Sequence, residues 1–119
     1  MTQAKYGYVY FIKPTAYSGP IKIGCSKWPD NRLSDILAWS PIPLEILGSV
    51  PGDFSDERYL HRCFADAHSH KEWFHPTPKL KATIQTILLA GTVDVVRGDL
   101  KPVGTKYPCF PSKPKRIAA

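Results

Sequence analysis

The feature that most constrains this chain lies near its start. "YGYVYFI", Tyr6 to Ile12, and "PIKIG", Pro20 to Gly24, are short runs rich in β-branched and aromatic residues, joined by the turn-forming "PTAYSG". Two such runs at this separation read as a β-hairpin. Strand alternation puts Tyr8, Tyr10 and Ile12 on one face and Val9 and Phe11 on the other, while Ile21 and Ile23 share a face from which Lys22 points away. Tyr10 and Lys22 can therefore project from the same side of neighbouring strands, a placement that depends on the register.

The rest of the chain has to pack on that hairpin. "SKWPDNRLSDILAWS" predicts a helix with Pro29 in its first turn, Arg32 near its N-terminus, and Leu33, Ile36 and Leu37 toward the sheet. "PLEILGSVPG" alternates and stops at Pro51-Gly52, a third strand over roughly Leu44 to Val50. In "DFSDERYLHRCFADAH" Asp53 or Ser55 can cap a second helix whose stripe is Leu60, Cys63, Phe64 and Ala67. Glu57 and His61, four residues apart, share one of its faces. After a short "EWF", Glu72 to Phe74, "TPKLKATIQTILLAG" predicts a third helix. Thr77 caps it, Pro78 opens it and Gly91 stops it, with Leu80, Ile84, Ile87 and Leu88 facing inward. The order β β α β α α predicts an α+β fold, a small three-stranded antiparallel sheet with helices packed on it.

One core is expected from 119 residues at 43% hydrophobic composition. The predicted domain runs over residues 1–91, and the Pro- and Lys-rich remainder, 92–119, reads as an extended basic tail. An excess of 16 Lys and Arg over 10 Asp and Glu, a formal charge of +6, suits a polyanionic partner such as nucleic acid. Three cysteines at wide spacing, Cys25, Cys63 and Cys109, write neither a disulfide framework nor a CxxC metal pair. Reduced thiols in a cytoplasmic protein are expected, without a membrane span. The four histidines, His61, His68, His70 and His75, fit no closed tetrahedral zinc pattern with Cys63.

Taken in order, "YVY" (Tyr8 to Tyr10), "KIG" (Lys22 to Gly24), "CSKWPDNRL" (Cys25 to Leu33), "ERYLHRCF" (Glu57 to Phe64) and "EWF" resemble the GIY-YIG endonuclease superfamily. The closest likeness is to its small phage and bacterial branch, which carries KIG in place of YIG. Each motif is weak alone, and the ordered set is specific; it covers about Gly7 to Leu89.

The resemblance implies a GIY-YIG-like fold and a metal-dependent endonuclease, with Tyr10, Lys22, Arg32 and His61 as catalytic candidates and Glu57 as the ligand of Mg²⁺ or Mn²⁺. Phosphodiester hydrolysis calls for an activated water, neutralised phosphoryl oxygens and help for the leaving group. Arg32 supplies a rigid, permanently charged fork for phosphate. Two assignments of the base stay open: Tyr10, if neighbours such as Lys22 and Arg32 lower its pKa, or Lys22 with Tyr10 positioning it. DNA is the expected substrate in preference to RNA. The cations expected against its backbone are Lys27, Arg32, Lys106, Lys113, Lys115 and Arg116. The oligomeric state is open, a dimer suiting double-strand cleavage.

Each residue also has an ordinary explanation. Strand tyrosines usually pack, an acidic residue in a helix's first turn serves the helix dipole, and Trp73 and Phe74 suit core and sheet-edge anchoring. Glu72 suits a structural pairing with Arg32 or Arg62, and Cys25 and Cys63 suit buried positions. The rival function is a catalytically weak or inactive module of the same fold that binds nucleic acid, or a protein partner in phage and host conflict.

Overall fold

The computed structural model describes residues 7–98 and 100–102. Strand β1 (Tyr8–Pro14) pairs antiparallel with β2 (Ile21–Ser26), placing Tyr10 opposite Gly24 and Ile12 opposite Lys22. On its other side β1 pairs antiparallel with β3 (Leu44–Pro51), with a shift in register between Phe11 and Ile12.

The sheet has five strands where three were expected. A small hairpin of β4 (His68–His70) and β5 (Trp73–Phe74) adds to the free edge of β2, giving the order β3-β1-β2-β5-β4. Strands of three and two residues are too short to carry a readable alternation, and "HSHKEWF" is mostly polar. Lys71, in the turn, takes a left-handed φ of 48°.

Helix α1 (Pro29–Trp39) covers one face of the sheet, where Tyr10, Ile12 and Leu44 pack with Leu33, Ile36, Ile46 and Trp73. Helices α2 (Phe54–Cys63) and α3 (Pro78–Ala90) cover the other, burying Val9, Phe11, Ile21 and Ile23 with Leu60, Phe64, Phe74, Leu80, Ile84 and Ile87. The expected split of β1 into two faces is thus the split between two hydrophobic clusters. Leu37 departs from expectation: it is 40% exposed. Leu33 and Ile36 take the stripe that meets the sheet, and Leu37 falls on the flank of a helix that covers its face thinly.

The helix ends follow the sequence signals. Asp53 caps α2, accepting from the Ser55 and Asp56 amides, and Asp56 reciprocates to the Asp53 amide. Thr77 caps α3, and Gly91 ends it at φ 82°, where a side chain would be strained.

Packing continues beyond Gly91, although 92–119 reads as tail in sequence. A 3-10 turn at Val93–Val96 buries Val93 and Val96, and Leu100 follows them into the core. The Tyr59 hydroxyl donates to the Leu100 carbonyl at 2.6 Å, and Arg97 donates to Asp56 at 2.7 Å. So short a segment shows no period, which is why composition alone reads it as tail. The remaining expected tail, with Lys106, Cys109, Lys113, Lys115 and Arg116, lies outside the described residues. No described helix is long and apolar enough to cross a membrane.

The Asp56–Arg97 pair ties this segment to α2, with side chains 1% and 36% exposed respectively. Losing Arg97 removes a cation from a buried carboxylate, whereas losing the carboxylate leaves a guanidinium that water can reach. Arg97→Ala should therefore cost about 2–3 kcal/mol of stability and Asp56→Asn about 1–2 kcal/mol. Urea unfolding of both variants checks the order; equal or reversed losses would refute it.

Candidate active site

The hairpin register fixes what stands beside what. Residues opposite each other in an antiparallel pair project to the same side, so Tyr10, Ile12, Lys22 and Gly24 all face α1. The expected shared side for Tyr10 and Lys22 is realised, but Lys22 stands opposite Ile12, and the residue opposite Tyr10 is Gly24. That glycine matters sterically. A Cβ at position 24 would lie 2.8 Å from Cε1 of Tyr10 and closer still to its Cζ and hydroxyl. The Tyr10 ring lies over the space that a side chain would fill.

Arg32, in the first turns of α1, lies beside the Tyr10 hydroxyl. Burial pushes that hydroxyl above its ordinary pKa; Arg32 pulls it down, and the carboxylates of Glu72 and Glu57 push it up again. The balance is upward, so the lowered pKa that a tyrosine base needs is not the resting state. Tyr10 rests as a neutral phenol beside the Arg32 guanidinium.

Lys22 is nearly buried and donates to Glu72 Oε1 at 2.6 Å, with its ammonium 5.9 Å from the centre of the Trp73 ring. Glu72 therefore pairs with Lys22, where pairing with Arg32 or Arg62 was expected. Its backbone is held too, since the Ile23 amide donates to the Glu72 carbonyl at 3.0 Å. Lys22 is thus tied to a carboxylate of the neighbouring β4–β5 hairpin. The partnership is hard to foresee because it depends on the short β5, through which Lys22 faces Trp73.

Glu57 approaches from the other side of the sheet. β5 pairs with β2 at Ile21 and Lys22 and goes no further, so Gly24–Ser26 form an edge round which α1 and α2 can sense each other. Glu57 is almost fully buried; that burial, and then the Glu72 carboxylate, push its pKa up to about 8, against the opposing pull of Lys22 and Arg58. Cys25, half-buried on the same edge, is pushed up to about 12 by burial and then by Glu57. This end of β2 carries concentrated acidity.

His61 shares a helical face with Glu57, as expected, but it is fully buried, its Nε2 lies 2.9 Å from the Ile23 carbonyl, and its ring packs 5.1 Å from Phe74. Burial lowers its pKa to about 4. It is a neutral ring, its Nε2–H donating to Ile23, that holds the middle residue of "KIG" from beneath. Lys27 is exposed in the connection from β2 to α1, beside the exposed N-cap Trp28 of that helix.

Among the described residues no group of three or more His, Cys, Asp or Glu side chains could hold a metal ion unaided. A hard divalent ion with oxygen ligands nevertheless fits Glu57. The carboxylate is buried, repelled by a second carboxylate and held above its ordinary pKa, and a cation would relieve all three conditions. Waters and substrate oxygens would have to supply the remaining ligands.

Tyr10, Lys22 and Arg32 thus share the α1 side of the β1–β2 hairpin, Glu57 lies within electrostatic reach of Tyr10 and Lys22 from the α2 side, and His61 is set behind β2. No curated protein and no solved structure matches the chain significantly. A family profile described as the T5orf172 domain does match, over residues 7–89. That span runs from the residue before β1 to the last turn of α3, takes in every site residue just described, and makes this chain a member of the T5orf172 domain family.

Proposed function

We propose that the chain is a metal-dependent nuclease of the GIY-YIG type that hydrolyses phosphodiester bonds in DNA. The observation that carries this reading is the grouping of a strand phenol and a helix guanidinium on the α1 side of the hairpin, with a buried carboxylate within electrostatic reach from the α2 side. Membership of the T5orf172 family is compatible with it, and so is the basic excess of the chain.

Arg32, exposed and set beside the Tyr10 hydroxyl, turns its donors to a non-bridging phosphate oxygen. Tyr10, fixed over Gly24, holds the attacking water in line with the bond to be broken. Lys22 keeps Glu72 in place and adds positive charge. Glu57 would hold Mg²⁺ or Mn²⁺, which when bound would supply charge to the phosphoryl oxygens and to the departing oxygen. As water forms its bond to phosphorus and the bond from phosphorus to the departing oxygen breaks, the water's proton passes to bulk solvent, or to Tyr10 once its own hydroxyl proton has gone to solvent, and the departing oxygen takes a proton from solvent.

Labelled single-stranded, duplex and branched DNA, together with RNA, incubated with Mg²⁺, Mn²⁺ or chelator, tests this reading. Product from DNA that requires the cation is expected. The absence of any three-ligand cluster among the described residues favours one rival, a module that binds without turnover. Salt-sensitive binding without product on any substrate would establish that rival.

A further inference from the structure

Lys22 and Arg32 also line one part of a groove of about 640 Å³ on the α1 side of the sheet. Its lining also includes Trp39 and Asp35 from α1, Tyr17 from the β1–β2 connection, and His70 and Trp73 from the β4–β5 hairpin, among prolines and aliphatic side chains. We propose that this groove takes an unpaired nucleotide of the DNA strand held at the site, its base stacked on Trp39 and its phosphate directed to Arg32. The inference rests on the nuclease reading and names its substrate class, DNA with unpaired nucleotides at the point of cleavage.

Several observations converge on that occupant. Arg32, Asp35, Ile36 and Trp39 follow one another at helical spacing, so they form one face of α1 leading from the site into the groove. Seven residues of helix place Trp39 about 10 Å from Arg32 along the axis. The groove therefore offers cationic charge where it meets the site and aromatic surface farther along. That is the distribution along a nucleotide, which is anionic at the phosphate and flat and apolar at the base.

Trp39 is 87% exposed, whereas Trp73 is partly buried with the His70 ring stacked at 6.4 Å and 12°. The fold thus leaves a free indole face on one side and a braced aromatic pair on the other. Asp35, between Arg32 and Trp39, would repel a second phosphate but can accept from the exocyclic amino group of a base. A duplex has its bases stacked and paired, and can present no base face to such a groove without unpairing.

The test uses the full chain carrying Glu57→Gln, so that bound DNA stays intact, and follows the fluorescence anisotropy of an end-labelled DNA probe. The probes are a 20-nucleotide single strand and a hairpin duplex of the same sequence. Binding of the single strand is expected, with Trp39→Ala weakening it about tenfold, Trp39→Phe within about threefold of the parent, and duplex binding unchanged. The slope of affinity against salt should be the same with and without Trp39, because stacking removes no charge. Circular dichroism should show an intact fold, the exposed indole contributing little to the core. Unchanged single-strand affinity in Trp39→Ala, or equal weakening for the duplex, would overturn the groove.

The nuclease reading fails by a different signal. If the chain with Glu57 restored makes no product on any substrate, that reading falls, while the Trp39 comparison still decides what the groove binds. If that chain cuts DNA and its Trp39→Ala variant cuts it with the same rate and site preference, the groove alone falls.

Discussion

Glu57→Gln should lower Mg²⁺- or Mn²⁺-dependent DNA cleavage by at least about 100-fold and, unusually for the loss of a site residue, leave the protein more stable at alkaline pH. Both effects have one origin. Glu57 is buried beside Glu72, and its pKa is pushed up to about 8 from an ordinary value of 4.5. Below about pH 4.5 the carboxyl is protonated whether the chain is folded or not, and it costs nothing. Between there and about pH 8 the unfolded chain releases the proton while the folded chain retains it. Stability therefore falls as pH rises through this window, and the loss is complete above it. Glutamine has the same shape and does not ionise. The melting temperature of the wild type should decline from pH 5 to pH 9 relative to Glu57→Gln, with a difference on the order of a few kcal/mol at the alkaline end. Mn²⁺ should restore wild-type stability at pH 8 and leave the variant unmoved. Because the cation needs the ionised carboxylate, its affinity should rise roughly tenfold per pH unit until about pH 8. Parallel melting curves for the two proteins, or a variant that cuts DNA at the wild-type rate, would remove Glu57 from the proposed role.

Much of this arrangement was legible in the sequence because local physics produced it. The hairpin, the three helices, the Thr77 cap and the Gly91 stop all rest on signals a few residues long, and each stands in the structure close to its expected place. The two faces of β1 followed from alternation alone. What escaped depends on partners far apart in the chain. The β4–β5 hairpin is too short to announce itself, yet it determines that Glu72 meets Lys22 across fifty residues. The segment after Gly91 looks like tail until Asp56 and Tyr59 supply it with partners. His61 is a catalytic candidate through the resemblance, and what the sequence does not show is that its ring is buried between Ile23 and Phe74. Register had the largest consequence. Tyr10 and Lys22 share a side of the hairpin as alternation suggested, but the register sets Gly24 opposite Tyr10 and Ile12 opposite Lys22, and Arg32 of α1 lies beside the tyrosine.

That register makes Gly24, which carries no functional group, the position at which the smallest change should have a large effect. Gly24→Ala adds one methyl group on the side of the sheet that faces α1. It would meet Cζ, Cε1 and the hydroxyl of Tyr10 at impossible distances, and the Tyr10 ring, 2% exposed and packed with Ile12 and Leu44, has little room to retreat. Overpacking of this kind costs about 1–3 kcal/mol. The displaced hydroxyl would also leave Arg32, and a misplacement of about 1 Å at a reacting centre can cost 100-fold in rate. We therefore expect Gly24→Ala to fold, melt at lower temperature and cleave DNA about 100-fold more slowly. A cycle with Tyr10→Phe separates the hydroxyl from the ring. If the methyl group acts on cleavage by moving the hydroxyl, Gly24→Ala should slow the Tyr10→Phe protein little further, although it still destabilises it, because the ring carbons remain in its path. Independent, multiplying losses in rate would mean that Gly24 serves the site by another route, such as close approach of the DNA backbone to β2. Near-complete coupling would mean that the glycine of "KIG" belongs to the tyrosine of "YVY", and that the two motifs form one device split across a hairpin.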